Sequence, residues 1–362
     1  MLDALLPALG GAAVGWAVGK SLDLPLSYVA RSLRKKWRLV RSRSGGLESV
    51  RASFWFGARE TSVVILDGDG SQAFASQNIS ATVAASRVVP VGGVASCREQ
   101  YERAANARSI RGESAPWDGE LLSVAHYSSY RTGRDEELSL RLRLHPTTYF
   151  EVASVIESLR GEDPHGFGDY IGAFGFDGAE DYRLPNGLGI CLTVTTTDGR
   201  MVFARRSSSS GLRPGEHDVA VVEGVLPSRD VVRGRLDVHG AARRAFCEEV
   251  CEIDADESIV PQILGLIFDK AFNQWNLVGT IAAPFTQDEL IRRQSSGFAG
   301  RWELVRHDFV RLDLEEIARY CGSRRMWDSA LAALYLTLVF HGFGRGAIDR
   351  SIARHADMAT GR

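Results

Sequence analysis

The stretch Arg244-Ala245-Phe246-Cys247-Glu248-Glu249-Val250 carries the most specific chemical pattern in this chain. On a helix, positions 245, 248 and 249 are three and four residues apart and therefore share one face. Glu248 and Glu249 on such a face, with Glu252 one turn beyond Glu248, are oxygen ligands of the kind that Mg²⁺ prefers. A second interpretation is an ordinary amphipathic helix with a solvated and a buried side. The solvated side would hold Arg244, Glu248, Glu249 and Glu252, and the buried side Ala241, Ala242, Ala245, Phe246 and Val250.

Strand-like segments flank this helix on both sides. Residues 187–207 predict two strands around a turn at Asp198-Gly199, because β-branched residues lead into a dipeptide that favours tight turns. Further strands are predicted over 218–225, 259–268, 277–283 and 302–312. The apolar segment 327–340 predicts a helix that is too short to cross a membrane and that closes the core. The predicted order is therefore strand, hairpin, strand, loop, helix and strand.

This order and the helix resemble the Nudix hydrolases, whose signature is G-x5-E-x7-R-E-U-x-E-E-x-G-U, where U is a bulky aliphatic residue. Three residues match the signature by position: Arg244, Glu248 and Glu249. Ala245 stands where the family has a metal-binding glutamate, and Cys251 stands where it has a glycine. The distance from Gly224 to Arg244 exceeds the family spacing, so residues 229–237 are predicted to be an insertion.

A closer resemblance is to the divergent Nudix hydrolases that cleave UDP-glucose and UDP-galactose, which also have an irregular signature and an extra N-terminal subdomain. Three segments carry it: Pro116–Gly119, Leu140–Phe150, and the Asp198-Gly199 hairpin that ends in Arg205-Arg206-Ser207. The implied fold is α+β, with a Nudix-like α/β/α sandwich around a mixed sheet. The predicted organisation is an apolar helix and basic segment (1–45), an N-terminal α+β subdomain that is mainly β (46–182), the Nudix-like domain (183–345) and a flexible tail (346–362).

The resemblance implies a hydrolase that uses Mg²⁺ or Mn²⁺ to cleave the diphosphate of a nucleotide sugar or a related nucleoside diphosphate derivative. Water would attack one phosphorus while the cation neutralises charge on the phosphoryl oxygens. The implied metal ligands are Glu223, Glu248, Glu249 and Glu252, and the implied catalytic residues are Glu248, Glu249 and Arg244. Ala245 favours the alternative, a Nudix-fold protein that has lost catalysis and binds a nucleotide or regulates, with or without a membrane tether.

Four further residues are predicted to bind a nucleotide-derived substrate. Arg205 and Arg206 suit the diphosphate, because a guanidinium group meets phosphate oxygens two at a time. As neighbours on a strand they point to opposite faces, so one of them would enter the site. Trp117 and Tyr149 could stack on the base. The alternatives are surface arginines and aromatic residues of a half-buried strand.

The composition is that of a globular protein with one large or two modest domains: 362 residues, 44% apolar and 24% charged, with a net charge of −2. Basic residues concentrate before residue 50, so the rest is acidic, and no nucleic-acid-binding motif is visible. Nucleic acid is therefore not a predicted partner. The five cysteines are odd in number and irregularly spaced, which supports neither disulfides nor a zinc site and favours the cytoplasm.

The apolar segment Ala4–Gly19 places Gly11, Gly15 and Gly19 four residues apart, a spacing that lets helices pack closely in lipid. It contains Pro7 and is shorter than the about 18 to 20 residues that span a bilayer. Two roles stay open: membrane contact, or a soluble helix packed on the body or on a second copy in a homo-oligomer. We predict a cytoplasmic protein, attached to the inner face of the membrane if this segment inserts, because the basic run after it would stay inside.

Overall fold

The structure, a computed structural model, describes residues 53–112, 116–132, 137–177, 179–208, 213–251, 259–295 and 304–360. The predicted apolar helix and basic segment at 1–45 lie outside these residues, as does Glu252. The contacts among helices and strands group residues 50–362 into one compact unit. Within the described ranges, no helix is both long enough and apolar enough to cross a membrane.

Runs of strands are separated by helices along the described chain. The strands are β1 (Trp55–Phe56), β2 (Arg59–Glu60), β3 (Val63–Asp67), β4 (Ile79–Val83), β5 (Glu120–Thr132), β6 (Glu137–Thr148), β7 (Gly187–Thr195), β8 (Arg200–Arg206), β9 (His217–Val219), β10 (Val221–Gly224), β11 (Val231–Val232), β12 (Arg235–Leu236), β13 (Gln262–Asp269), β14 (Gln274–Ala282) and β15 (Leu304–Arg311). The helices are α1 (Val94–Ile110), α2 (Tyr149–Arg160), α3 (Phe167–Ala173), α4 (Pro227–Asp230), α5 (Val238–Glu249), α6 (Gln287–Ser295), α7 (Leu314–Gly322), α8 (Asp328–Phe340) and α9 (Arg345–Thr360).

The larger sheet has the strand order β15-β8-β7-β14-β13-β3, with β9 paired to β8 and β10 paired to β7. β7 and β14 are parallel from Gly187 opposite Gln274 to Thr195 opposite Ala282, and the other pairs are antiparallel. All residues of β7 are buried, as expected for a central strand that is covered on both faces. The predicted α+β class and mixed sheet are therefore confirmed.

Alternate residues of β7 enter two different cores. Ile190 and Leu192 belong to a cluster that includes Phe246 of α5. Cys191 belongs to a second cluster with the apolar side chains of α8, and a hydrogen bond of 2.9 Å joins the hydroxyls of Thr193 and Thr337 across that face. The period of two along the strand thus sends successive side chains to α5 on one face and α8 on the other.

The hairpin between β7 and β8 forms where the sequence predicted it. Gly199 adopts a φ of 73°, which residues with a side chain rarely adopt, and its N–H donates to Thr196 O at 3.0 Å. The Thr196 hydroxyl also accepts from Arg200 N at 2.9 Å. These bonds close the turn without a ligand, and they leave Arg205 and Arg206 at the far end of β8.

The second sheet has the order β11-β12-β4-β6-β5. Much of it comes from the segment 46–182, for which an α+β subdomain of mainly β structure was predicted, and that segment also contains α1, α2 and α3, whose positions the sequence analysis did not give. In α1 only Val94, Cys97 and Ala105 are buried, so its helical periodicity is faint. Asn186 joins this sheet to the start of β7, because its side chain accepts from Val124 N at 2.9 Å and donates to Val124 O at 3.0 Å.

Both ends of the described chain are built into the fold. β3 comes from the segment predicted as an N-terminal subdomain, yet it pairs with β13 at the edge of the larger sheet. At the other end, the predicted flexible tail is instead helical over α9. Ile348 and Ile352 of α9 are buried, and Ser351 Oγ donates to Glu315 Oε1 of α7 at 2.8 Å. These buried apolar residues recur at a spacing of four, which stabilises a helix against the core.

Candidate functional site

α5 buries the side that the amphipathic interpretation assigned to the core. The predicted buried residues Ala241, Ala242, Ala245, Phe246 and Val250 each expose 1% or less of their surface. Cys251, in the place of the signature glycine, is also fully buried. Position 245 therefore faces the core, whereas the Glu248 side chain is 25% exposed. Ala245 and Glu248 therefore lie on the buried and the partly exposed sides of α5, as the amphipathic interpretation has them.

Arg244 is the centre of a buried network of ion pairs. Its Nε and Nη2 atoms donate to the two carboxylate oxygens of Asp230, each at 2.8 Å. Nη2 also donates to Gly224 O at 3.0 Å, and Nη1 donates to Glu248 Oε2 at 2.7 Å. Burial opposes the charge of this guanidinium group, but the hydrogen bonds and charges of Asp230 and Glu248 outweigh it and raise the pKa of Arg244 further. The hydrogen bond from the Arg244 guanidinium group to Gly224 O thus connects α5 to the end of β10.

Asp230 is a residue that the sequence analysis missed. Its side chain is only 2% exposed, and besides Arg244 it accepts from Leu226 N at 2.8 Å, at the start of α4. A signal for it was present, because Gly224 and Asp230 are separated by five residues, the spacing of the first glycine and glutamate of the Nudix signature. The predicted insertion at 229–237 begins at the end of α4 and continues as the β11–β12 hairpin, which pairs with β4.

Glu248 is held by two arginines. Its Oε2 accepts from Arg244, and its Oε1 forms an ion pair with Arg229. The Arg229 side chain is 53% exposed, so this pair lies at the surface, above the buried Arg244–Asp230 pair. Both oxygens of the carboxylate that was predicted to bind metal therefore already contact guanidinium groups.

The other predicted metal ligands are spread over different elements. Glu249 is the last residue of α5 and is partly buried. Glu223 lies on β10, where its Oε1 accepts from Gly224 N at 3.1 Å. Across the residues that the structure describes, no three His, Cys, Asp or Glu side chains come together as a metal-binding group. On the described part of α5, Glu248 is engaged by two arginines and Ala245 lies in the core.

Arg205 and Arg206 lie at the end of β8, between β9 and β15. Arg205 is exposed and is paired across the strands with His217 on one side and Arg306 on the other. Arg206 is partly buried, and its backbone N–H donates to Glu216 O at 2.9 Å. Burial lowers the pKa of His217, and the nearby Arg324, Arg205 and Arg306 lower it further, while Asp308 opposes them. The end of β8 is thus a region of positive charge, with Arg205 accessible to solvent.

Trp117 and Tyr149 come together at the start of α2. Gly119 links them, because its N–H donates to Trp117 O at 3.1 Å and its carbonyl accepts from Tyr149 N at 2.8 Å. Asp118 Oδ1 accepts from Phe150 N at 2.8 Å. Trp117 is 82% exposed, whereas Tyr149 is partly buried as the first residue of α2 and not in a half-buried strand, which was the alternative interpretation. The two segments that carried the closer resemblance are therefore neighbours in space.

A pH dependence of stability arises from His307 on β15. Burial lowers its pKa to about 4, below the ordinary value of 6.5. Between these pH values the unfolded chain binds a proton that the folded chain does not, so this contribution to stability is complete above 6.5 and is lost as the pH falls toward 4. We expect His307→Gln to reduce the fall in unfolding free energy between pH 7 and 4.5 by about 2 kcal/mol, measured by urea denaturation. Equal falls in the two proteins would contradict this assignment.

Comparisons with known proteins leave the family open. No protein-family model matches this chain, and no curated protein matches it. Among solved structures, it is similar to the crystal structure of DR0079 from Deinococcus radiodurans, with 18% sequence identity. That similarity covers 41% of this chain and 81% of DR0079 with a TM-score of 0.29, so nothing about fold or function follows from it.

Proposed function

We propose that residues 183–345 form a Nudix-like domain that binds a nucleotide-derived small molecule without hydrolysing it. The arrangement of α5 and α8 on opposite faces of a mixed sheet supports a Nudix-like α/β/α sandwich. The residues Gly224, Asp230, Arg244 and Glu248 support it further, because three of them bind to Arg244 in a single network. In this proposal the network has a structural role and joins the helix to the sheet.

The proposed absence of hydrolysis depends on the two ion pairs that Glu248 forms with Arg229 and Arg244. A carboxylate that binds magnesium must offer its oxygens to the cation, yet both oxygens of Glu248 contact arginines. A cation there would have to displace Arg229 and would lie close to the buried charge of Arg244. Ala245 adds no ligand from the core. The polar side of α5 therefore supports a loss of metal chemistry.

The positive end of β8 supports the binding part of the proposal. Arg205 is exposed there, with the guanidinium geometry that suits a diphosphate. Arg205, Arg306 and Arg324 lie close to His217 there, against one nearby carboxylate, Asp308, and an excess of positive charge attracts an anionic ligand. Trp117 stays the proposed stacking residue for the base, since its ring is largely exposed. A cytoplasmic location and the role of residues 4–19 in membrane or subunit contact also stay proposals.

The competing proposal is the Mg²⁺- or Mn²⁺-dependent hydrolase of a nucleotide sugar. It would rely on Glu249, Glu252 and Glu223, together with a rearranged Glu248. The same experiment tests both proposals.

We expect the full-length protein to bind one of UDP-glucose, UDP-galactose or ADP-ribose without turning it over. At saturation the ligand should raise the Tm by about 3 °C or more, with and without Mg²⁺ or Mn²⁺. Phosphate or sugar-phosphate release should stay at the level of a protein-free control. Arg205→Ala should weaken binding by about tenfold, whereas Arg103→Ala on the exposed side of α1 should not change it.

The double variant Glu248→Gln, Glu249→Gln separates the two proposals. If the wild type shows metal-dependent turnover that the double variant loses, the protein is a hydrolase and the binding proposal is wrong. If no nucleotide changes the Tm, both proposals lose their support.

A further inference from the structure

One side of the second sheet lies away from the apolar core and carries arginines. The three leucines of residues 140–144 in β6 are buried in the core, so Arg141 and Arg143, which alternate with them, belong to the opposite side and are exposed. This side of the sheet is the outer face. Strand pairing extends one row of it across all five strands, in the order Val232, Arg235, Thr82, Arg143 and His126. Three separate segments of the chain thus build one surface.

Short hydroxyl side chains separate the arginines of the outer face. Thr82 lies between Arg235 and Arg143, so two strand spacings of about 4.8 Å place the Cα atoms of these arginines about 10 Å apart. Arg141 is two residues from Arg143 along β6, a distance of about 7 Å, and both of its cross-strand neighbours are serines. Guanidinium groups therefore project from a low surface at intervals of about 7 to 10 Å.

Two of these arginines have no carboxylate partner. Arg143 forms an ion pair with Asp181, whereas Arg141 and Arg235 form no ion pair with any described residue. The other carboxylate on this side of β6 is that of Glu137, at the start of the strand, and it accepts from an asparagine amide at 2.8 Å. Charge is therefore left uncompensated in the middle of the outer face.

A further arginine stands in the β11–β12 turn, in a backbone conformation that residues with a side chain rarely adopt. Arg233 has a φ of 51° and Gly234 a φ of 73°, as in the two-residue turns that favour asparagine followed by glycine. An arginine at the first position costs backbone strain, and strained residues that persist in a fold are frequent at functional sites. The exposed Arg233 adds a fourth positive charge beside Arg235.

Tyr130 of β5 gives the outer face a stacking group. Its ring is 37% exposed, and the guanidinium carbon of Arg141 lies 4.7 Å from the ring centroid. Aromatic rings and guanidinium planes are the groups on which unpaired bases stack. The outer face therefore combines spaced cations, which suit the phosphates of a chain, with a planar pair that suits a base.

We propose that the outer face binds single-stranded nucleic acid. Phosphate oxygens would accept from Arg143, Arg233 and Arg235, and a base would stack on the pair of Tyr130 and Arg141. This occupant fits better than an acidic peptide, because a peptide interface has apolar or aromatic anchors at its centre, and the row that crosses the sheet has only threonine and charged or polar side chains there.

The sequence prediction that nucleic acid is not a partner used the charge of the whole chain, which does not describe a single face. No local motif reveals the outer face, because its arginines come from residues 141–143 and 233–235, almost a hundred positions apart. The proposed site contains no residue of α5 or of the end of β8. It is therefore independent of the function proposed above.

The test is fluorescence anisotropy of the full-length protein with a labelled single strand of about twelve thymidines, titrated at several salt concentrations. The strand should bind saturably and at least about fivefold more tightly than a duplex of the same length, whose bases are not free to stack. The slope of log affinity against log salt should be about −2, since each of about three phosphate contacts contributes about −0.7.

Three variants separate the charged contacts from the stacking contact. Arg235→Ala and Arg233→Gly should each weaken binding at least about threefold and make the slope shallower by about 0.7, and the second should not lower the Tm because it relieves the strained turn. Tyr130→Ala should weaken binding at least about fivefold with the slope unchanged. Arg103→Ala, on the exposed side of α1, is the matched control and should change neither the affinity nor the slope.

The proposal is overturned if the single strand does not bind saturably, or if it binds no more tightly than the duplex. It is also overturned if the variants of the outer face bind like the control. That result is expected if the basic residues before position 50, or Arg205, capture the strand instead. Binding of phosphatidylserine vesicles with the same dependence on Arg233 and Arg235, without binding of the oligonucleotide, would identify the face as a membrane contact and exclude the proposal.

Discussion

Replacing Asp230 by alanine is expected to lower the free energy of unfolding by about 3 to 5 kcal/mol. Arg244 is 10% exposed and would lose two hydrogen bonds while it keeps its charge in the protein interior. The backbone N–H of Leu226 would lose its acceptor as well. Urea denaturation at pH 7, followed by circular dichroism, measures the change.

Two further variants show whether the buried pair accounts for that loss. Arg229→Ala removes the exposed ion pair on the other side of Glu248 and should cost no more than about 1 kcal/mol. The double variant Asp230→Ala, Arg244→Met should be more stable than Asp230→Ala alone, because it leaves no unpaired buried charge. If Asp230→Ala costs no more than Arg229→Ala, the Arg244 network does not hold α5 to the sheet.

Ala245→Glu, which restores the glutamate of the Nudix signature, is expected to destabilise the protein by more than about 3 kcal/mol and to give no metal-dependent turnover. The reason is that Ala245 is fully buried among apolar residues, so a carboxylate there would lose its hydration without a partner. Thermal unfolding and the nucleotide assays described above measure the two effects.

Ala104→Glu is the matched control for this substitution. It makes the same exchange on the exposed side of α1, and the change in unfolding free energy should stay within about 0.5 kcal/mol. A stable Ala245→Glu protein that cleaves a nucleotide with Mg²⁺ would contradict the assignment of position 245 to the core. That result would favour the competing proposal of a metal-dependent hydrolase.

Local sequence patterns were sufficient for the central elements of the fold. The β7–β8 hairpin and α8 were predicted close to their observed bounds, and the window 244–250 was predicted as helix, because each has its signal within a few consecutive residues. The same holds for the buried side of α5. Tyr149 shows a readable signal that was missed: Thr148 and Glu151 have the spacing of a capping box, and Thr148 N donates to Glu151 Oε2 at 3.2 Å. That pattern marks the start of α2 and not a strand.

The candidate site depended on contacts that no local pattern reveals. Arg244 and Glu248 are one helical turn apart, so their ion pair follows from spacing alone. The pairing of Arg244 with Asp230 depends on the path of the β11–β12 hairpin between them, which only the fold specifies. The engagement of Glu248 by Arg229 follows from the same path, and it supports the structural role proposed above for the polar side of α5.

The strand order of the larger sheet also bears on biosynthesis. One edge is β3, whose partner β13 is made only when the ribosome has reached residues 262–269, and the other edge is β15, at residues 304–311. Val63 can therefore pair with Asp269 only after residue 269 has been synthesised. Pairings between such distant parts of a chain close large loops and form slowly. The nascent chain would carry the apolar strand β3 unpaired through most of translation, an interval in which a chaperone could act on it.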